Sequence, residues 1–437
     1  MNYKDILLTK ITHNEEVIGV IGLGYVGLPL AVGFAEAEIN VLGFDNNDNK
    51  VKKINSGDNY VKDIRDAALR EVVIDKLKLT ATSNFHRIKE CDALLICVPT
   101  PLDKFRKPDM KYIEHACIEI GRNMKPGTFI SLESTTYPTT TEDFMLPIIE
   151  RESGLKHGTG FWLAYSPERV DPGNKIFHTK NTPKVIGAMS DDGLEIGIKL
   201  YSKAINTIHP VSSPRVAEMV KILENTYRLV NISLINELAL LAGKMDINIW
   251  EVIEAAKTKP FGFAAFYPGP GIGGHCIPLD PFYLEHIAKK YDFELSMIHT
   301  AGHINMRMPH YMYIKIATAL NKQKKAVNGS NILFVGVAYK PNIDDARESP
   351  ALEILEIVIS KGGNVEYHDP FIQSIKLKDD TTLESVEMSD KTINKYDVVV
   401  LTTNHSTLDI DAIVSNAKLI VDLRNMTKQS SDKIYKL

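Results

Sequence analysis

The 437 residues include only four cysteines, Cys91, Cys97, Cys117 and Cys276, whose spacing fits neither a zinc site nor a disulfide framework. A reducing compartment keeps such thiols unpaired, so each must be judged as a buried filler or a reactive group. Cationic excess is also missing. With 51 Lys and Arg against 55 Asp and Glu, the net charge of −4 offers no sequence-wide basic surface for nucleic acid. No apolar run approaches the roughly 18 residues needed to cross a bilayer, so no membrane partner is expected. The opening MNYKDILLTK carries Asp5 and lacks the apolar core and cleavage site of a signal peptide, which implies a cytoplasmic location. Short-period repeats and low-complexity tracts are absent.

What is present is an ordinary globular balance, 44% apolar and 24% charged, in a chain longer than one hydrophobic core usually serves. Two or three domains are expected. After a polar arm of about sixteen residues, VIGVIGLGYVGLPLAVGFAEAEINVLGFD reads as strand, glycine turn, helix and second strand. The strand-like runs DALLICVP, GTFISLES and GFWLAYSPE continue the alternation to about residue 210 and predict a parallel sheet with helices on both faces. From 214 to 243 the chain has helical periodicity, a leading proline and no internal glycine or proline, which predicts one long helix. Helical patterns resume at PFYLEHIAKKY and run towards residue 323, and NKQKKAVNGSN reads as a linker. Beyond it the strand, loop, helix, strand grammar returns, with YDVVVLTTNH and AKLIVDLRN as further strands. The fold class is therefore α/β: an N-terminal Rossmann domain (1–213), a central long-helix domain (214–325) and a C-terminal Rossmann-like α/β domain (326–437).

Gly22, Gly24 and Gly27 form G-x-G-x-x-G directly between the strand Val17–Ile21 and a helix. The first glycine permits the turn, the second lets backbone approach a pyrophosphate, and the third lets helix and strand pack. Asp45 closes the next strand eighteen residues after Gly27, placed to accept both ribose hydroxyls. Its neighbours Asn46 and Asn47 supply no cation for a 2′-phosphate, so NAD is expected rather than NADP. The first loop of the C-terminal domain lacks this fingerprint and is expected to bind something other than a second dinucleotide.

Cys276 stands in PGPGIGGHCIPLDP, a loop rich in glycine and proline. Such a loop supplies free N–H groups and close access, the setting in which a thiolate becomes a nucleophile. The competing reading is a small apolar filler, which fits Cys91, Cys97 and Cys117 well. On the long helix Lys221 and Asn225 lie four apart and share a face, with Glu218 and Glu224 nearby. By itself that pattern describes a solvated face with charge pairing. Asp280 and Glu168 (in YSPERVDPGN) carry little signal alone, and His275 is expected to support the backbone.

Taken together, GVIGLGYVGLPLA, CVPTP, EST, YSPERVDPGN, EMVKILENT, PGPGIGGHCIPLDP and VGVAYKPNIDDARES resemble the UDP-glucose/GDP-mannose dehydrogenase family from about residue 17 onward. The stretch TKPFGFAAFYPGPGIGGHCIPLDPFYL looks most like the branch acting on UDP-N-acetylglucosamine. The resemblance implies two successive NAD-dependent oxidations of a nucleotide sugar at C6, with Cys276 as the nucleophile that holds the aldehyde. It implies that Lys221 and Asn225 contact the reacting oxygen, that Asp280 handles protons or water, that Glu168 acts in thioester hydrolysis, and that Thr135 lies near the catalytic water. A further glutamate found in some relatives is replaced here by Pro172. Tyr25, Val26, Pro99, Thr100, Thr135 and Arg347 join the glycines and Asp45 around the cofactor. Arg169, Phe266, Tyr267, Gly273, Gly274, Lys340 and Arg424 join Glu168, Lys221 and Asn225 around the UDP-sugar. A homodimer, or a higher oligomer built on it through the long helix, is implied as well. Three alternatives stand beside this reading: another UDP-sugar (glucose, N-acetylgalactosamine or N-acetylmannosamine), a two-electron 3-hydroxyacid dehydrogenase, and a non-catalytic nucleotide-sugar binder.

Overall fold

Strand residues that alternate in sequence bury themselves on opposite faces of one sheet, and both faces are apolar. In β1 (Val17–Ile21), Ile18 and Val20 enter one core and Ile21 the other. A strand with water on neither side reads as a continuous hydrophobic run, and each fully buried Ile, Leu or Val contributes about 1.5–3 kcal/mol. A computed structural model gives the structure, which describes every residue except 1, 63, 104–106, 172, 175, 275, 276, 278, 279, 429 and 430. Cys276, His275 and Pro172 thus lie outside the described residues. No helix among the described residues is long and apolar enough to cross a membrane.

The chain forms two compact units, Met1–Glu224 with Phe282–Asp292, and Asn225–Pro281 with Phe293–Leu437. The first holds an eight-stranded sheet of β1, β2 (Asn40–Phe44), β3 (Leu79–Thr82), β4 (Ala93–Ile96), β5 (Thr128–Leu132), β6 (Phe161–Tyr165), β7 (Lys184–Ala188) and β8 (Ile208–Val211), in the order β3-β2-β1-β4-β5-β6-β7-β8. The order runs outward both ways from β1, as in a doubly wound sheet. The first six strands are parallel, but β7 pairs antiparallel with β6 and β8 runs with β7. The sheet is mixed rather than wholly parallel as expected. An antiparallel neighbour needs no crossover helix, and the connection 166–183 has none among its described residues.

The second unit repeats the grammar with β9 (Asn331–Val335), β10 (Asn364–His368), a small hairpin of β11 (Ser374–Lys376) and β12 (Thr382–Glu384), then β13 (Val398–Leu401), β14 (Ile420–Asp422) and β15 (Ile434–Lys436). Its parallel sheet has the order β10-β9-β13-β14-β15. The expected long helix spans Pro214–Lys244, and its division between units falls after Glu224. Within the second unit Ile235, Ala239 and Ala242 of this helix pack on Ile249, Trp250 and Ile253 of the helix Ile249–Lys257.

Within the first unit the long helix is tied to the sheet by a buried carboxylate. Glu218 accepts the Thr139 N–H at 2.7 Å, the Thr141 N–H at 2.9 Å and the Thr141 hydroxyl at 2.7 Å. Thr139 sits at φ 83°, a conformation that threonine adopts only when its surroundings hold it there. Burial nevertheless outweighs these three donors and raises the Glu218 pKa from 4.5 to about 7. A carboxyl whose folded pKa is raised adds its stability below its unfolded pKa and loses it as pH climbs through the folded one. The stability advantage of the native protein over Glu218→Gln is therefore expected to shrink by up to roughly 3 kcal/mol between pH 4.5 and 8. Thermal melts of both proteins across that range test it; a pH-independent gap would contradict the account.

Candidate active site

The glycine turn after β1 shows what each glycine does. Gly22 lies at φ +93°, and a Cβ there would stand 2.7 Å from the Cys97 carbonyl oxygen. A Cβ on Gly27 would fall 1.9 Å from the Gly22 carbonyl oxygen, so the helix Gly27–Glu36 begins against bare backbone. A Cβ on Gly24 would meet nothing within 4 Å. Open space over Gly24, at the positive end of a helix, fits a pyrophosphate. Tyr25 is exposed and Val26 half-buried beside it.

Asp45 is buried at the end of β2, where Oδ2 accepts the Leu23 N–H at 3.0 Å and Oδ1 the Asn47 N–H at 2.9 Å. The carboxylate thus braces the glycine turn while standing where a ribose would lie. Lys50 Nζ is 3.4 Å from Oδ2, a cation the sequence reading missed by stopping at Asn46 and Asn47. A dinucleotide with free ribose hydroxyls fits this edge, because Asp45 repels a 2′-phosphate and already engages the lysine. The segment Pro99–Thr100 follows β4, with Pro99 exposed and Thr100 half-buried. The Ser134 hydroxyl donates to the Val98 carbonyl at 2.7 Å, joining CVPTP to EST, and the Tyr283 hydroxyl donates to the Thr100 carbonyl. Thr135 is half-buried between these ties.

Beyond β6 the first unit assembles Glu168, Arg169 and Lys221. Lys221 Nζ donates to the Glu168 carbonyl at 2.7 Å. Glu168 Oε1 accepts the N–H groups of Arg169 at 2.8 Å and Val170 at 2.7 Å, which folds the carboxylate over its own turn. Arg169 grips Glu224, with Nη2–Oε1 at 2.6 Å and Nε–Oε2 at 3.3 Å, and donates from Nη1 to the Pro183 carbonyl at 2.8 Å. The sequence reading noticed Glu224 but not this pairing. Underneath lie residues it did not single out. Lys184 opens β7, 5% exposed, and forms an ion pair at 2.6 Å with the fully buried Glu133 that follows β5. Glu133 also receives the hydroxyls of Tyr201 and, at 3.1 Å, Ser131. The available signal was a lone charge opening the apolar run KVIGA and another closing FISLE.

In the second unit Asn225 Nδ2 donates to Asp280 Oδ2 at 2.5 Å, and both groups are buried. Asp280 opens the helix Asp280–Ala288, where a carboxylate suits the positive helix end. Before it, Gly273 and Gly274 are packed so closely that a side chain at either is excluded. A Cβ on Gly273 would lie 2.7 Å from the Tyr339 Cβ and 2.8 Å from the Glu348 carbonyl oxygen, and one on Gly274 would lie 2.8 Å from the Tyr339 ring. Arg424 donates from Nε to the Thr402 carbonyl at 3.1 Å, and its Nη1 would be 2.3 Å from a Cβ on Gly269. Its guanidinium fork thus lies along the Pro-Gly backbone, where burial lowers its pKa to about 10. Phe266 packs edge-on to Tyr227 at 5.7 Å, and Tyr267 stacks on Trp250 at 6.0 Å while donating to Glu254 at 2.6 Å. Lys340 Nζ stands 5.8 Å from the Tyr339 ring centroid. Arg347 is exposed and forms a fork with Asp345, Nη2–Oδ2 at 2.6 Å.

The strand-end carboxylate recurs in the second unit with a different outcome. Asp369 follows β10 as Asp45 follows β2, and its Oδ2 accepts the Val337 N–H at 2.7 Å and the Ala338 N–H at 3.1 Å. Oδ1 accepts the Phe371 and Ile372 N–H groups at 2.9 and 3.2 Å. His405 Nδ1 accepts the Asn342 N–H at 3.0 Å, so its Nε2 carries the proton and donates to Asp369 at 3.1 Å. Five donors on a carboxylate 1% exposed leave no room for a ribose.

Comparison with known proteins identifies the family. Residues 16–205, 215–307 and 333–429 match, in turn, the NAD binding, central and UDP binding domains of the UDP-glucose/GDP-mannose dehydrogenase family. The chain is 36% identical to the UDP-N-acetyl-D-mannosamine dehydrogenase of Pyrococcus horikoshii, over 94% of this chain and 96% of that one. It is 33% identical to the UDP-N-acetyl-D-glucosamine 6-dehydrogenase of Pseudomonas aeruginosa, over 89% and 90%. The solved structure of the UDP-D-ManNAc dehydrogenase from Pyrococcus horikoshii superposes with a TM-score of 0.87 at 34% identity, covering 96% of this chain and 98% of that one. With all three domains matched in order, the chain belongs to the UDP-glucose/GDP-mannose dehydrogenase family and is an NAD-dependent UDP-sugar dehydrogenase.

Proposed function

We propose that the chain oxidises the C6 hydroxyl of UDP-N-acetyl-D-glucosamine to the carboxylate, giving UDP-N-acetyl-D-glucosaminuronate for surface polysaccharide synthesis in the cytoplasm. The observation that carries this reading is the buried Asn225–Asp280 hydrogen bond. It fixes the carboxylate four residues past Cys276 to the helix that bears Lys221 one turn earlier. The sugar assignment rests on the likeness of the 258–284 stretch to the UDP-N-acetylglucosamine branch. The likeness to the Pyrococcus enzyme favours a second reading, the 2-epimer UDP-N-acetylmannosamine.

Bound NAD supplies a hydride acceptor in each of two rounds. The chain's own groups handle the charge, the proton and the half-oxidised carbon. As the first hydride leaves C6 and the hydroxyl loses its proton, the Lys221 ammonium and the Asn225 amide stabilise the oxygen. The Cys276 thiolate adds to the aldehyde carbon, and the resulting thiohemiacetal carries a second hydride. Its removal leaves a thioester. Water then adds to the acyl carbon, the C–S bond breaks, and Cys276 departs as thiolate; one water proton passes to Glu168 and the other ionises from the new acid. Asp280, held by Asn225, takes the proton of the sugar hydroxyl, and Thr135 orients the water. In sum, one alcohol, two NAD and one water give one carboxylate, two NADH and three protons. Tyr25, Val26, Pro99, Thr100 and Arg347 contribute to the cofactor site, and Arg169, Phe266, Tyr267, Gly273, Gly274, Lys340 and Arg424 to the UDP-sugar site. The domain division at 213 and 325 belongs to the same reading.

Self-association through the long helix accompanies it. Leu234, Leu238, Leu241 and Met245 recur at helical spacing and are 40–59% exposed, a stripe suited to a second copy of this chain.

Four outcomes are expected. Assayed on a panel of UDP- and GDP-sugars, the protein should release two NADH per sugar, with the uronate identified by mass. Cys276→Ser should still bind the sugar but yield no uronate, only aldehyde-level material; one NADH per turnover in the native protein, or wild-type uronate from the variant, would end the four-electron reading. Asp45→Ala should weaken NAD binding roughly 10- to 100-fold by titration, the loss expected for hydrogen bonds to a charged group. Leu238→Asp with Leu241→Asp should reduce the mass measured by light scattering to that of one chain, whereas an unchanged assembly would place the interface elsewhere.

A further inference from the structure

Among the described residues, Lys184 and Glu133 form the most deeply buried lysine–carboxylate pair that the mechanism above leaves unused. Its two residues come from β7 and from the residue after β5, on either side of β6. Because β7 runs antiparallel to β6, the start of β7 meets the ends of β5 and β6 at one edge of the sheet. That edge carries EST on one side and the Pro167–Glu168 turn on the other. Lys184 Nζ reaches both: 2.6 Å from Glu133 Oε2 and 3.4 Å from the Pro167 carbonyl oxygen. The next carbonyl, that of Glu168, is held by Lys221 at 2.7 Å. Two ammonium groups thus grip consecutive carbonyls of one turn, Lys184 from the sheet and Lys221 from the helix. The Glu168 carboxylate is folded back on the same turn by the N–H groups of Arg169 and Val170, so its place follows wherever the turn is set.

Burial by itself would lower the Lys184 pKa, but the attraction of Glu133, and then of Glu168, outweighs it and raises the pKa above the ordinary lysine value. The ammonium therefore stays charged through the working range. The Tyr201 ring lies 5.2 Å from Nζ, and the Tyr201 hydroxyl donates to Glu133, which closes the cluster on its third side.

We propose that Lys184, neutralised by Glu133, is a positioning residue for the hydrolytic half of the reaction, fixing the Pro167–Glu168 turn so that Glu168 meets the water that cleaves the thioester. This rests on the assignment of Glu168 to hydrolysis given above. It separates two lysines by role: Lys221 serves the oxygen on the carbon that first loses hydride, and Lys184 the later release of the acid.

The test uses the full-length protein with NAD and the UDP-sugar identified by the panel. Lys184→Met strands the Glu133 charge in the interior and is at risk of misfolding, so Lys184→Met/Glu133→Gln, which removes both charges, is measured beside it. The double variant should keep the rapid release of two NADH per chain and then turn over roughly 10²-fold more slowly, the scale of loss expected from misplacing a reacting group by about 1 Å. KM for the sugar should fall together with kcat, leaving kcat/KM near the native value, and intact-protein mass after rapid quenching should show the acylated chain accumulating. Lys184→Arg, whose fork reaches both acceptors, should restore the slow phase. A loss that lowers the size of the rapid phase without an acyl adduct would reveal a merely structural pair and overturn the proposal, as would native turnover. Glu168→Gln separates the two ideas. If it accumulates the adduct and the Lys184 variants do not, only the positioning role falls; if it does not accumulate adduct either, the hydrolytic assignment of Glu168 falls with it.

Discussion

A carboxylate at the end of a second strand, accepting the N–H that follows a turning glycine, is the constraint on which both units depend. In each, the first strand must stop, the chain must reverse above the sheet, and the first freed N–H must find an acceptor, since a buried amide without one costs about 1–3 kcal/mol. Asp45 does this for Leu23 and Asp369 for Val337. The glycines preceding them, at φ +93° and +86°, turn alike. What differs is the spare capacity. Asp45 is engaged by two amides and a lysine at the rim, so ribose hydroxyls can take part. Asp369 is saturated by four amides and His405. One backbone solution thus yields a dinucleotide edge in one unit and a sealed edge in the other, and the second unit spends its loop on walling Gly273 and Gly274 with Tyr339.

At the far end of the first sheet the same economy applies to charge. Lys221, Lys184 and Arg169 all converge on the segment 166–183 or its neighbours, each with a carboxylate or carbonyl partner named by distance. The turn bearing Glu168 is held from three directions although its flanks contain little regular structure among the described residues. Irregular backbone is tolerated near chemistry because side chains, rather than a hydrogen-bonded ladder, fix it.

Much of this was legible in the sequence. The glycine fingerprint, Asp45, the long helix to within a residue, and the second α/β unit follow from local rules: strand period, turn chemistry, and a proline that starts a helix. The expected failure of the second loop as a dinucleotide site came from missing glycines; its physical cause, His405 on Asp369, joins residues 36 apart and left no local sign. The antiparallel β7 escaped because strand direction is set by the length and content of the connection rather than by the strand's own residues. Lys184 and Glu133 escaped for a related reason, as did the burial of Glu218, which was noticed only as a neighbour of Lys221 on a solvated face. A single charge in an apolar run reads as a rim residue until its partner, arriving from another strand or helix, is seen.

Energetics favour reading the buried charges as positioning devices. A buried ion pair is a poor source of stability: replacing one by apolar residues of similar volume is often neutral or stabilising by about 1–4 kcal/mol. Glu133 is fully buried and Lys184 nearly so, in a sheet whose other buried positions are mostly apolar, so packing alone would be served better by two aliphatic residues. What an aliphatic pair lacks is direction. An ammonium locked against a carboxylate has remaining donors whose aim is set, and here one of them falls on the Pro167 carbonyl. Glu218 follows the same logic from the helix side, accepting two amides of the strained Thr139 turn although burial pushes its own pKa upward. Both charges sit where a strand end or a helix meets a loop that hydrogen bonds of regular structure do not reach, and there a fixed direction is worth more than the stability it costs.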